Sequence, residues 1–274
     1  MSLGTLVSSL QNPKIKAAIH LFDRKDRDES GLFLIEGFRE LSRAQQGGVV
    51  FQSLFFCPKL FLGENEKDLI EKIRKSGAQL FECEEKVFRK LSYRDRPDGL
   101  VAVAKQMKLS LSAFDEKIKA KKNPFFLIAE SIEKPGNLGT ILRSCDAVGV
   151  DGVIVCDRCT DIYNPNVVRA SVGTLFTIPV IEADGEKTLT WLKTNGVKIL
   201  SSTPSAKIEY TSADLTGPVA IVVGTEQLGL SDRWLLAADM KVKIPMMGVA
   251  DSLNVATATT LLLYEVLRQR RMEK

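Results

Sequence analysis

Short apolar, β-branched or aromatic runs recur along the front of the chain: GLFLIEG (31–37), VVFQSLFFC (49–57), AQLFEC (78–83) and GLVAVAKQ (99–106). GFRELSRAQQ (37–46) and ENEKDLIEKIRKSG (64–77) lie between them and carry apolar residues at helical spacing. Strands alternating with helices predict a small α/β domain within residues 1–107, opened by one helix drawn from VSSLQNPKIKAAIHLFDRKDRDES (7–30). The lysine-rich stretch 108–122 has no strand pattern and only weak amphipathic periodicity, and is expected to be a linker, in part helical. From 123 to 274 the alternation resumes with FFLIAES, DGVIVCD, VKILSST, GPVAIVVG and MKVKIP as strands. Helices are predicted to start near Leu138, Pro165, Glu186 and Ser231, and a long one, NVATATTLLLYEVLRQRR, closes the chain. Runs so continuously apolar predict a parallel sheet with helices on both faces.

Three segments of this second part join a strand end to a glycine and then to polar residues. In EKPGNLGTILRSCDAVGV (133–150), PGNLG is expected to be the strand-to-helix turn. Leu138, Ile141, Leu142, Cys145 and Val148 form a buried stripe in the helix that follows, and Arg143 projects roughly opposite it. VAIVVGTEQLGLSD (219–232) places Glu226 two residues after Gly224. IPMMGVADSLNVATATT (244–260) brings Ser252, Leu253 and Asn254 to the start of the last helix, where Ser252 is expected to cap it. The carboxyl ends of strands are where open α/β sheets bind ligands. The spacing of these glycines matches neither the dinucleotide fingerprint nor the phosphate-binding loop of nucleotide hydrolases. Taken singly, each segment reads more readily as a tight turn, a helix cap or a solvated surface; three of them at one edge do not.

Composition narrows the picture. Of 274 residues, 45% are hydrophobic and 26% charged, as in an ordinary globular chain. No apolar run is long enough to span a membrane and no signal-peptide pattern opens the chain, so a cytoplasmic location without a membrane partner is expected. Five cysteines and one histidine, His20, do not supply a closed metal site: Cys156 and Cys159 form a single C-x-x-C, and buried reduced thiols are expected instead of a metal. Residues 1–122 hold 23 Lys and Arg against 17 Asp and Glu, whereas the remainder holds 15 against 17. A basic front part points to a polyanion, with Lys14, Lys16, Arg24, Lys25 and Arg27 as candidate RNA contacts. An ordinary solvated surface is the alternative.

Taken together and in this order, NLGTILRSCDAVG, VVGTEQLGLS and IPMMGVADSLNVATATTLLLYE resemble the three motifs of the SpoU (TrmH-like) family of RNA ribose 2'-O-methyltransferases, of the SPOUT superfamily. DIYNPNVVRASVGTLFTIPV resembles the family too, and the likeness spans about residues 124–270. The front part, from NPKIKAAIHLFDRKDRDESGLFLIEGFREL to DGLVAVAK, is similar to the substrate-binding extension of the ribosomal-RNA branch, which includes thiostrepton-resistance enzymes. The resemblance implies a carboxyl-terminal parallel sheet tied in a deep trefoil knot, preceded by a small α/β RNA-binding domain like a ribosomal protein. It implies S-adenosylmethionine as methyl donor, a homodimer with active sites at the subunit interface, and RNA, above all 23S ribosomal RNA, as substrate. A tRNA methyltransferase of the same family, or a non-catalytic RNA-binding protein with this fold, are the alternatives.

Residue by residue, Asn137 and Arg143 match the first motif, Glu226 the second, and Ser252 and Asn254 the third; these are the expected catalytic group. Cofactor contacts map onto Thr203, Gly224, Ile244, Met246 and Leu253. Arg169 and Ser171 also match the family, with a structural role equally open to them. An arginine keeps its proton in proteins, so Arg143 is expected to pair with an RNA phosphate and steady the developing alkoxide, leaving proton removal to phosphate or water.

Overall fold

A computed structural model of the chain describes residues 4–157, 160–225 and 227–272. The chain divides into two compact units. One reaches to Met107 and takes in Asp161–Thr177; the other comprises Lys108–Thr160 and the chain from Ile178 onward.

In the first unit the stretch 7–30, expected to be one helix, is two. A short strand, β1 (Thr5–Val7), precedes helices α1 (Pro13–His20) and α2 (Arg24–Ser30). Two capping side chains break the run: Asn12 Oδ1 accepts the Lys14 N–H at 2.8 Å, and Asp23 Oδ1 accepts the Lys25 N–H at 2.7 Å. Gly31, left-handed at φ 66°, then turns the chain into β2 (Leu32–Glu36). After α3 (Phe38–Gln46) come β3 (Phe51–Phe56), α4 (Glu66–Lys75), β4 (Gln79–Cys83), α5 (Glu85–Leu91) and β5 (Leu100–Lys105). The strands form one sheet in the order β1-β4-β3-β5-β2, with β1, β4 and β3 parallel and β5 antiparallel to both its neighbours.

The segment 161–177, expected within the second domain, belongs to this first unit. Its apolar side chains explain why: Ile162, Tyr163, Val167, Val168, Leu175 and Phe176 are all buried, and the fully buried Phe33 of β2 lies 4.5 Å from the Tyr163 ring and 6.0 Å from that of Phe176. Its short helix, Pro165–Ala170, packs on β2. Ser171 is wholly buried and spends its hydroxyl on a turn, donating to Val168 O at 2.8 Å and accepting from Gly173 N at 3.2 Å. Arg169 is exposed, 5.8 Å from the centre of the Tyr93 ring.

Arg27 corrects an expectation. It is 1% exposed; its Nε donates to Asp161 Oδ2 at 2.8 Å and its Nη1 to the carbonyls of Leu21 and Phe22 at 2.8 and 2.9 Å. A guanidinium so enclosed and engaged cannot reach RNA, and its work is to hold the end of α1, α2 and the 161–177 segment to one another. Removing one partner of a buried ion pair strands the other charge, at a cost of about 3–5 kcal/mol.

The second unit begins at Lys108, so the expected linker is part of it, and its helical portion is ordered against the core. Leu111, Phe114 and Ile118, spread over a turn of 3-10 helix and α6 (Asp115–Ala120), pack into its core. Phe114 is fully buried, 5.3 Å from the Phe126 ring and 5.9 Å from Trp191, over the bare backbone of Gly152. Beyond it lie β6 (Phe125–Glu130), α7 (Pro135–Val148), β7 (Gly152–Cys156), α8 (the Pro165–Ala170 helix of the first unit), β8 (Val180–Ala183), α9 (Gly185–Thr194), β9 (Lys198–Ser202) and β10 (Ile208–Glu209). They are followed by β11 (Val219–Val223), α10 (Asp232–Ala237), β12 (Met240–Lys243) and α11 (Val255–Met272). Seven strands form an all-parallel sheet in the order β10-β12-β9-β11-β6-β7-β8. Every residue of β6, β7 and β11 is buried, as their unbroken apolar character predicts. The short strands β8 and β10 carry too little pattern to be read from sequence. Among the described residues no helix is long and apolar enough to cross a membrane.

Substituting Arg27 by Ala is expected to lower stability by about 3–5 kcal/mol in urea unfolding. The paired replacement Arg27→Met with Asp161→Leu, which leaves no lone charge, is expected to cost clearly less than the sum of the single changes.

Candidate functional site

Strand order places β9, β11 and β12 at neighbouring or alternate positions, and the chain leaves all three at their carboxyl ends through loops that meet around one cavity. Its volume is about 360 Å³. Thr203 follows β9, Gly224 follows β11, and Ile244, Met246, Ser252 and Leu253 follow β12; all six line it. The five residues expected to meet a cofactor are therefore brought together. The remaining walls are largely apolar, including Leu228, Leu230, Leu235 and Val255, with Asp251 as the charged residue among the described lining.

The loop after β11 is built tightly. Thr225 and Gly229 exchange backbone hydrogen bonds of 3.0 and 3.1 Å, and Thr225 Oγ1 accepts the Leu228 N–H at 2.9 Å. Gly229 takes the left-handed conformation at φ 68°. Gly224 is required by close approach: a Cβ there would overlap the Gly229 carbonyl oxygen. Glu226, the expected second-motif glutamate, lies outside the described residues.

What holds this loop was not singled out from sequence. Glu130, the last residue of β6, is 4% exposed; its Oε2 accepts the Ser231 N–H at 2.8 Å and its Oε1 accepts the Ser231 hydroxyl at 2.6 Å. Ser231 in turn precedes α10 as its N-cap residue. The one available signal was an acid ending a strand that is otherwise apolar throughout, FFLIAE.

The first motif differs in detail from its expected form. PGNLG is not the turn but the first turn of α7, which starts at Pro135; the turn is the stretch 131–134, with Ser131 at φ 51°. Leu138, Ile141, Leu142 and Cys145 are fully buried, Val148 is half-buried, and Arg143 is exposed. The Arg143 side chain makes no hydrogen bond or ion pair among the described residues. The helix packs against α11, with Ser144 Oγ and Thr260 Oγ1 2.7 Å apart.

The cap of α11 is Asn254 and not Ser252. Asn254 Oδ1 accepts the Ala256 N–H at 3.0 Å, while its Nδ2 donates to Asn137 Oδ1 at 3.2 Å. This bond ties the start of α11 to the start of α7, and frees the exposed Ser252 to face the cavity. Asn137, Ser252 and Asn254 thus converge, and Arg143 stands six residues, about 9 Å, farther along α7.

In the first unit Lys14 and Lys16 are exposed on α1. Arg24 and Lys25 are exposed on α2, each beside an acid one turn on: Asp28 at 3.6 Å and Glu29 at 3.9 Å. Such pairs are weak and exchange readily for a phosphate.

Burial pushes the thiols of Cys83 and Cys156 up to about 12, and that of Cys145 higher still, so all three stay protonated at neutral pH. Cys156 donates to Thr188 Oγ1 at 3.4 Å. Cys159 lies outside the described residues, among which no group of acidic, histidine and cysteine side chains could hold a metal ion.

A parallel sheet with its cavity in the loops of β9, β11 and β12, in a chain that also holds a smaller α/β unit, defines a class that comparison with known proteins identifies. Residues 124–264 match the model of the SpoU rRNA Methylase family, and residues 12–102 match the MRM3-like substrate binding domain. The chain belongs to the SpoU rRNA methylase family. Among its relatives is the 23S rRNA (uridine(2479)-2'-O)-methyltransferase of Streptomyces viridochromogenes, 29% identical over 91% of this chain and 87% of that protein. The AdoMet-bound rRNA methyltransferase from Sinorhizobium meliloti superposes with a TM-score of 0.88 at 30% identity, over 97% of this chain and 98% of that one. An RNA 2'-O ribose methyltransferase of known structure is 39% identical, with a TM-score of 0.83 over 97% of this chain and 100% of that one.

Gly224→Ala is expected to destabilise the protein by about 1–3 kcal/mol through overpacking. Glu130→Ala is expected to cost about 1–3 kcal/mol by leaving the Ser231 N–H and hydroxyl without their partner. Denaturant midpoints measured for both variants check this.

Proposed function

We propose that the protein transfers a methyl group from S-adenosylmethionine to a ribose 2'-hydroxyl of 23S ribosomal RNA. The observation that carries this reading is the meeting of three strand-end loops around the cavity, with Ser252 in its wall and the Asn254–Asn137 bond beside it. The cavity suits the donor: about 360 Å³ is within the usual range for small-molecule sites, and its walls join apolar side chains, fit for a base, to the polar Thr203, Asp251 and Ser252. S-adenosylmethionine brings a methyl group already activated on a sulfonium, so the chain has only to place the ribose and help its hydroxyl lose a proton.

Thr203, Gly224, Ile244, Met246 and Leu253 hold the donor, and Asn137, Ser252 and Asn254 orient the ribose. Glu226 belongs to this group by its motif. Arg143, exposed and unengaged among the described residues, pairs with an RNA phosphate and steadies the charge developing on O2'. It acts as a cation and not as a base, because a guanidinium does not give up its proton at working pH. The hydroxyl proton passes to phosphate or water. Lys14, Lys16, Arg24 and Lys25 supply phosphate contacts from the first unit.

Insertion of β11 between β9 and β6, and the packing of α11 on α7, support a trefoil knot in the carboxyl-terminal part. Leu228, Met247 and Val249, which are 88%, 97% and 105% exposed on the loops around the cavity, support a homodimer in which a second subunit covers them. The protein works in the cytoplasm, where its RNA is found.

Incubation with radiolabelled S-adenosylmethionine and 23S ribosomal RNA, followed by digestion to nucleosides, tests the reading: label should reside on a ribose. Arg143→Ala is expected to lower turnover about 10²- to 10³-fold while leaving S-adenosylmethionine binding intact. Retention of most activity by Arg143→Lys would rule out the bidentate role. Replacing Lys14, Lys16, Arg24 and Lys25 together should weaken RNA binding and flatten its dependence on salt by about one unit of slope for each phosphate no longer neutralised.

A further inference from the structure

A second cavity, of about 490 Å³, opens within the first unit and takes no part in the site described above. Its lining includes Glu40, Glu66, Asp98 and Arg94, the three acids being 4%, 4% and 8% exposed. Each of the groups has one side committed to the protein. Glu66 Oε1 accepts the N–H groups of Leu62 and Gly63 at 3.2 and 2.8 Å, and Asp98 Oδ2 accepts that of Phe38 at 2.8 Å. Arg94 Nη2 donates to Glu36 O at 3.0 Å and to Glu40 Oε1 at 2.6 Å. The other side is idle: Glu66 Oε2, Asp98 Oδ1 and Arg94 Nε are buried with no hydrogen-bond partner. Native interiors leave only a few such atoms unpaired per 100 residues, and here three lie in residues lining one cavity.

The unused valences specify what would satisfy them. Two carboxylate oxygens ask for N–H donors, and the arginine Nε asks for an acceptor close by. A metal ion would leave Arg94 unsatisfied and face its positive charge. Among nucleobases, guanine alone carries two adjacent donors, N1–H and the 2-amino group, on an edge that continues into the acceptors O6 and N7. Uracil offers a single donor between two carbonyl oxygens, which the acids repel; adenine and cytosine offer one amino group. The mouth fits a base as well: Phe38, the exposed Arg39 and Leu62, which is 81% exposed, line it, and unpaired RNA bases are held by stacking on such aromatic and guanidinium planes.

We propose that this cavity receives an unpaired guanine of the RNA substrate, read by Glu66 and Asp98 through its donors and by Arg94 through its acceptors. The inference rests on RNA being the substrate. It places base recognition in the first unit, apart from the ribose that is modified.

The full-length protein, with S-adenosylhomocysteine saturating the cofactor cavity, would be titrated by calorimetry with GMP, IMP, AMP and UMP. Loss of a bidentate partner costs roughly 5- to 150-fold in affinity. GMP is therefore expected to bind about 10-fold or more tightly than IMP, which differs only in lacking the 2-amino group, and UMP is not expected to saturate. Glu66→Gln, which sets a donor against a donor, should abolish the preference for GMP over IMP. Equal affinity for the four nucleotides would overturn the proposal, and so would a GMP preference that survives Glu66→Gln. The ligand series uses the unaltered protein, so the result does not hang on how the variant folds. Methyl transfer measured on the same preparations separates this inference from the function it rests on. Normal transfer with an unchanged KM for RNA in Glu66→Gln would remove the guanine site alone, whereas no transfer by the unaltered protein would remove the function while GMP selectivity stood.

Discussion

Burial of β6, β7 and β11 on both faces is the constraint from which the second unit follows. Strands covered on each side can hold no free polar group along their length, so their chemistry is exported to their ends. In a parallel sheet every carboxyl end opens on the same edge, and loops far apart in sequence become neighbours there. The insertion of β11 between β9 and β6 then decides which loops those are. A cavity at this edge is a consequence of strand order, and its specificity is a matter of loop detail.

Loop detail depends on a few polar contacts placed where the apolar core stops. Glu130 stands at the last position of β6, and its two oxygens fix Ser231, hence the far end of the loop that begins at Gly224. The near end is fixed by the closed Thr225–Gly229 turn, and the neighbouring wall by the Asn254–Asn137 bond. None of these contacts is large in energy. Together they position a cavity wall.

The first unit uses buried charge in two different ways. Around Arg27 both Nε and Nη1 are paired, and the result is a joint between helices and the 161–177 segment. Around Arg94 the pairing is incomplete, with one oxygen of Glu66 and one of Asp98 idle beside a cavity. A saturated cluster holds a structure together; an unsaturated one in a cavity carries a desolvation cost that a ligand can relieve.

Much of this molecule was legible in one dimension. Apolar runs gave the major strands of both sheets, and the period of α7 placed Leu138, Ile141, Leu142 and Cys145 inside with Arg143 outside. The glycine-bearing strand ends pointed to the ligand edge, and the family resemblance named Thr203, Gly224, Ile244, Met246 and Leu253, which line the cavity there. Periodicity reports that a face is buried, however, and not what it is buried against. Nothing local distinguishes Arg27 from Arg24 three residues earlier; only an aspartate 134 positions away makes one a core residue and leaves the other on the surface. The lysine-rich stretch 108–122 read as linker because Phe114 finds its partners, Phe126 and Trp191, well beyond any helical window. Asn254 took the cap expected of Ser252 because its amide also reaches Asn137, 117 residues away. Sequence determined which segments must be buried and which chemistry lies at their ends, since those depend on neighbours a few residues apart. Tertiary structure decided which charges are paired, which are left waiting and which loops share a cavity, because these depend on contacts that chain order does not contain.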